Sequence, residues 1–132
     1  MKGEKGKVKG EVEERLHRKL EVWRRALSLA KSVYEVTCLF PKEETYGLVA
    51  QMRRAAVSVP SNLAEGAART SKREFLQFIS VAQGSLSELD TQLEHSMMLG
   101  FIEEEDGRAL QDEIQIVSRL LYGLARSVKE TS

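Results

Sequence analysis

Phe40-Pro41-Lys42-Glu43-Glu44, Arg53-Arg54-Ala55-Ala56-Val57-Ser58-Val59-Pro60-Ser61-Asn62-Leu63-Ala64-Glu65-Gly66 and Gln83-Gly84-Ser85-Leu86-Ser87-Glu88-Leu89 lie within one stretch, and its reading decides the fold. Val49, Met52, Ala56, Val59 and Leu63 recur every three or four residues, as one face of a helix does. Pro60 interrupts that helix, because its ring removes an amide donor and crowds the carbonyl of Ala56. Two outcomes are open: a break near Ser58, or a kink. The stripe keeps its phase from Ala56 through Val59 to Leu63, which predicts a second helix kinked at Pro60, with Ser58, Ser61 and Asn62 serving freed backbone groups. Gly66 reads as a stop or as a close approach of another backbone.

Working outward, Pro41 suits a first helical position, and Glu43 and Glu44 favour the positive end of that helix. Upstream, Leu20, Trp23, Leu27, Ala30, Tyr34 and Thr37 predict the core face of a first helix, with Trp23 and Tyr34 as core or core-edge residues. Downstream, Ser71-Lys72-Arg73-Glu74 is a capping box opening a third helix. Phe75, Ile79, Ala82, Leu86, Leu89 and Leu93 form its seam, and small residues around Gly84 would admit a neighbouring helix. Gly100 is a credible terminator. Leu110, Ile114, Val117, Leu121, Leu124 and Val128 then mark a fourth helix. Four amphipathic helices on short connections predict an all-α, antiparallel up-down-up-down four-helix bundle. Leu48 and Ala55, with Leu76 and Phe78, give the two central helices a second apolar face that suggests burial against other subunits.

Composition sets limits. At 132 residues, 42% hydrophobic and 30% charged, the chain suits one soluble domain. Its single cysteine, Cys38, excludes an intrachain disulfide, and burial in packing is its expected role. The lone cysteine and a start without a signal-peptide pattern predict a cytoplasmic protein, with no apolar run of membrane-spanning length. Net charge is zero, yet residues 1–25 carry nine Lys/Arg against five Glu. A charged N-terminal extension, residues 1–18, partly disordered, is expected ahead of a bundle domain at 19–132. That arm fits a polyanion tether, a dock on a neighbouring copy or a solvated tail.

The motifs resemble those of the bacterial four-helix-bundle proteins encoded in intervening sequences of 23S ribosomal RNA genes. The similarity rests on Phe40-Pro41-Lys42-Glu43-Glu44, Tyr46-Gly47-Leu48, Arg53-Arg54-Ala55, Ser58 through Gly66, Ser71 through Phe75, Gly84-Ser85-Leu86, Leu20-Glu21-Val22-Trp23 and Leu99-Gly100-Phe101-Ile102. It covers roughly residues 19 to 128. Thr45 and Ala67-Ala68 depart from the family's usual residues, and residues 1–18 form an extension most members lack. The resemblance implies a bundle that assembles into homopentamers. It also implies distant kinship with a nucleic-acid-associated accessory protein of diversity-generating retroelements, which binds a reverse transcriptase.

Arg53, Arg54, Arg69, Lys72 and Arg73 are the candidate contacts for nucleic acid or a partner. The last three surround the start of the third helix, where exposed amides favour phosphate. Arg53 and Arg54 have an alternative: pairing with Glu65, Glu88 or a neighbour's acids. No aromatic residue interleaves the basic ones, so base stacking has no support. No metal, cofactor or catalytic residue is expected. Glu14-Arg15-Leu16-His17 is the one Glu-x-x-His match, and neither a P-loop nor a dinucleotide fingerprint occurs. The expectation is a non-catalytic oligomer that binds RNA or a nucleic-acid-processing protein. The alternative is a structural or protein-interaction scaffold without nucleic-acid contact, such as an accessory subunit to a reverse transcriptase.

Overall fold

A computed structural model of the chain describes the backbone of residues 2–130 and, in the first helix, the side chains of residues 10 and 13 and of every residue from 16 onward. Four helices are present: α1 (Lys2–Thr37), α2 (Leu48–Ala67), α3 (Lys72–Met98) and α4 (Glu104–Glu130). Among the described residues there is no strand. α1 packs on α2 and α4, and α3 packs on the same two helices, so α1 and α3 occupy diagonal corners. Arg53 of α2 bonds to Thr37 at the end of α1, Ser96 of α3 reaches Met52 of α2, and Arg108 of α4 meets Glu94 of α3. At the other end Lys19 of α1 lies over Phe75 of α3, and Gln83 of α3 bonds to Ser118 of α4. Sequential helices therefore run antiparallel.

Every residue of the predicted stripes on α2, α3 and α4 is buried. The first helix differs. Its core face is Val22, Ala26, Leu29, Ala30 and Val33, closed by Thr37, whereas Leu20, Trp23, Leu27 and Tyr34 are 37–43% exposed. Only Ala30 and Thr37 of the predicted set face inward. α1 carries two apolar stripes, and the inner one is built from smaller side chains that fit opposite Met52, Leu121 and Leu124. Turning Trp23 and Tyr34 inward would also bury an indole N–H and a phenol, which need partners.

The second apolar faces expected on α2 and α3 are used within the chain. Ala55 is buried, and Leu48 and Leu76 pack against the core. The charged extension at 1–18 lies on the backbone path of α1, which begins at Lys2.

The second helix starts later than Pro41. Pro41 precedes a separate 3-10 turn, Lys42–Glu44, and Gly47, at φ −108 and ψ −108, breaks the chain's helical path before α2 begins. Glu44 still serves the helix start, since its carboxylate accepts from the Leu48 amide at 3.4 Å. α2 then continues through the buried Pro60 without a break. Asn62 Nδ2 donates to the Ser58 carbonyl at 2.7 Å and to its hydroxyl at 2.9 Å, while the Ser58 and Ser85 hydroxyls join α2 to α3 at 2.8 Å.

The helix ends follow the local chemistry. Ser71 caps α3 by accepting from the Glu74 amide at 3.3 Å. Gly100, at φ 76, closes it, with Phe101 N–H on the Ser96 carbonyl and Gly100 N–H on that of Met97. Gly66 is buried inside the last turn of α2, where a Cβ would lie 2.6 Å from Phe78 Cβ and 3.0 Å from Phe75. Its role is close approach.

Gly66→Ala is therefore expected to lose about 1–3 kcal/mol in urea unfolding, because α3 must shift to admit the methyl. Gly123→Ala, where a Cβ meets nothing within 4 Å, should gain about 0.5–1 kcal/mol from helix propensity.

Candidate nucleic-acid interface

The five basic candidates fall into two groups. Arg53 and Arg54 sit in the first half of α2, while Arg69, Lys72 and Arg73 surround the α2–α3 turn. From Arg53 to the end of α2 at Ala67 the helix rises about 21 Å, and Arg69 lies just beyond it.

Arg53 is committed within the chain. Its Nε donates to Thr37 Oγ1 at 2.9 Å, and its Nη2 reaches the Tyr34 carbonyl at 3.3 Å and Cys38 Sγ at 3.5 Å. The guanidinium also lies 4.4 Å from the centre of the Tyr34 ring. The Thr37 hydroxyl is nearly buried and donates onward to the Val33 carbonyl at 2.7 Å. A cation at the C-terminus of α1 complements the helix dipole while tying α1 to α2. The pairing of Arg53 with Glu65 or Glu88 does not form. Glu65 holds Arg69, and Glu88 accepts from Gln92. Arg54 is exposed on the same helix. Cys38 is exposed rather than buried, because it falls in the turn just beyond α1.

The turn group keeps its charge at the surface. Arg69 Nη2 lies 3.0 Å from Glu65, its Nη1 3.9 Å from Glu74, and the guanidinium 5.2 Å from the centre of the Phe78 ring. Such half-exposed pairs hold a side chain weakly and yield to competing anions at low cost. Lys72 and Arg73 are the first two residues of α3 and both are exposed. Their neighbourhood is more basic than the local sequence. Lys19 of α1 sits 5.7 Å from the Phe75 ring centre. The Gln83–Ser118 contact puts the last turns of α4, with exposed Arg126 and Lys129, level with the opening of α3. The N-terminal half of α1, the α2–α3 turn and the end of α4 thus share one end of the bundle.

The other end is acidic. Residues 94–113 contain seven Asp/Glu against one basic side chain, Arg108. Arg108 bridges Glu94 at 2.8 Å and Glu104 at 3.4 Å. Its hydrogen bond to Glu94 holds that carboxyl below its ordinary pKa, and Glu94 in turn raises the guanidinium's. Zero net charge hides this polarity.

Sequence reasoning missed Lys19, Arg126 and Lys129 because they lie 50 or more residues from the turn. The signal was present in the topology, since an even-numbered antiparallel bundle returns its last helix to the end where the first began. It also missed that the fold sets Phe75 under Lys19 and Phe78 under Arg69, although both rings are too covered to stack on a base. Among the described residues no group of three metal-ligating side chains occurs, and Glu14 of the Glu-x-x-His match lies outside the described side chains. No described helix is long and apolar enough to cross a membrane.

This is an all-helical bundle protein with a polarised surface. The model of the 23S rRNA-intervening sequence protein family matches residues 18–123, and the chain belongs to that family. Among solved structures it is similar to a protein of unknown function from the S23 ribosomal protein family of Bacteroides thetaiotaomicron, with a TM-score of 0.75 at 18% identity. That match covers 83% of this chain and 98% of the other. No curated protein matches the chain.

Arg53→Ala is expected to destabilise the bundle by about 1–2 kcal/mol in urea unfolding, since it removes the charged hydrogen bonds that tie α2 to Thr37 and Tyr34 of α1 and the cation over the Tyr34 ring. Arg54→Ala should stay within about 0.5 kcal/mol of the parent.

Proposed function

We propose that this protein is a non-catalytic, self-associating bundle of the cytoplasm that binds RNA, or an RNA-processing partner, through its basic end. The observation that carries this reading is the convergence of Lys19, Arg69, Lys72, Arg73, Arg126 and Lys129 from α1, the α2–α3 turn and the end of α4, opposite an acidic end. The family's name, which refers to an intervening sequence of 23S rRNA, supports RNA as the polyanion. Such a site grips phosphates and selects little sequence, because charge and exposed helix-start amides read the backbone, not the bases. The resemblance to pentameric relatives supports five copies. Repetition of the basic end around a ring would multiply the charge that one chain shows.

Fluorescence anisotropy with a labelled RNA stem-loop across a salt series tests the reading. Binding should weaken steeply between 50 and 200 mM salt. Changing Arg69, Lys72 and Arg73 together to Ala should weaken it and reduce the slope of log affinity against log salt by about 2–3, while Arg54→Ala leaves the slope unchanged. Circular dichroism confirms that each variant folds. Salt-independent or absent binding would move the assignment to a protein scaffold, with an enzyme such as a reverse transcriptase as the partner to test.

A further inference from the structure

The outer stripe of α1 is only half-covered within the chain: Tyr34 lies under Arg53, and Leu16, Leu20 and Trp23 edge an open groove with Leu63, Ala64 and Phe75. Leu16, Leu20, Trp23, Leu27 and Tyr34 follow the four-three alternation of a helix-packing seam and remain 37–52% exposed. Val57 of α2, 40% exposed, lines a groove with Tyr34 at the end of the stripe. Single exposed apolar residues are ordinary, but a seam of them nineteen residues long marks a place where another helix docks.

The diagonal corner of the bundle carries a surface of the opposite shape. Ser80, Gly84, Ser87 and Thr91 repeat at four, three and four along the exposed side of α3, and a Cβ on Gly84 would meet nothing within 4 Å. The Thr91 hydroxyl donates to the Ser87 carbonyl at 3.1 Å, one turn back on the same helix. The charges match as well. Exposed Arg24 and Lys31 border the α1 stripe, Lys31 holding only a 4.0 Å contact with the exposed Glu35. Glu88 and Asp90 border the α3 shelf. Pairing the α1 stripe with the α3 shelf sets Arg24 and Lys31 beside acids.

We infer that a second copy of this chain covers the α1 stripe, seating the small-residue shelf of its α3, centred on Gly84, against Leu20, Trp23 and Leu27. The inference rests on the self-association reading and names the surfaces that carry it out. Because the two surfaces differ and stand on opposite corners of one chain, the contact is heterologous. Each copy keeps one free face after pairing, and the assembly extends until it closes on itself.

The test uses two full-length variants, each changed only at exposed helical positions: Leu20→Glu with Leu27→Glu, which spoils the stripe, and Gly84→Arg, which blocks the shelf. Native mass is read by light scattering, with circular dichroism to confirm folding. The parent should be an oligomer and each variant a monomer, its association weakened at least about 100-fold. Mixed together, the two should form a one-to-one dimer, since one intact stripe then meets one intact shelf. Trp23, the only tryptophan, should shift its emission to the blue in that mixture. Variants that stay fully assembled would overturn the assigned surfaces while leaving self-association standing. A Gly84→Arg protein that still forms homodimers, beside a monomeric stripe variant, would overturn heterologous pairing in favour of α1 against α1. A monomeric parent at every concentration would overturn self-association itself.

Discussion

α1 carries two apolar stripes about a third of a turn apart, and only one of them can face the core. The rest of the structure depends on which one does. Val22, Ala26, Leu29 and Val33 go inward, which holds α1 against α2 and α4 with small and branched side chains and lets Met52, Leu121 and Leu124 fill the centre. The consequence is an outward row of leucines with Trp23 and Tyr34. That row costs solubility unless something covers it. Burial inside the bundle and the chemistry outside it are therefore set by the same choice of phase.

The Arg53 strap fixes that phase at one end of α1. Its guanidinium reaches the Thr37 hydroxyl, the Tyr34 carbonyl and the Tyr34 ring together, and this geometry exists only while Tyr34 stands outward. At the other end Lys19 lies over Phe75 and ties the same helix to the start of α3. A basic residue that looks available for RNA in the sequence is thus structural. The polyanion surface proposed above lies at the opposite end, where Arg69, Lys72 and Arg73 share the end of the bundle with basic residues of α1 and α4.

Legibility in the sequence followed how many readings each segment allowed. α2, α3 and α4 each have one dominant stripe, and every position of those stripes is buried. The capping box at Ser71 and the positive φ at Gly100 were legible for a similar reason, since few residue types satisfy those backbone positions. α1 misled because its larger residues lie on the outer stripe, and size outweighs position in a pattern count. The start of α2 misled because proline followed by acids opens a 3-10 turn as readily as a helix. Arg53's role was hidden by a separation of sixteen residues from Thr37. The basic end was half visible: its turn residues stand together in the chain, while Lys19, Arg126 and Lys129 join them only through the topology.

The most direct measurement is urea unfolding of Leu29→Ala and Leu27→Ala across a range of protein concentrations. The inward phase of Leu29 predicts a loss of about 2–5 kcal/mol at every concentration, as for any large side chain removed from a packed core. Leu27→Ala should lose stability only where copies associate, and match the parent when dilute. A larger loss at Leu27 than at Leu29 in dilute protein would contradict the account, because it would mean that α1 packs on its other stripe.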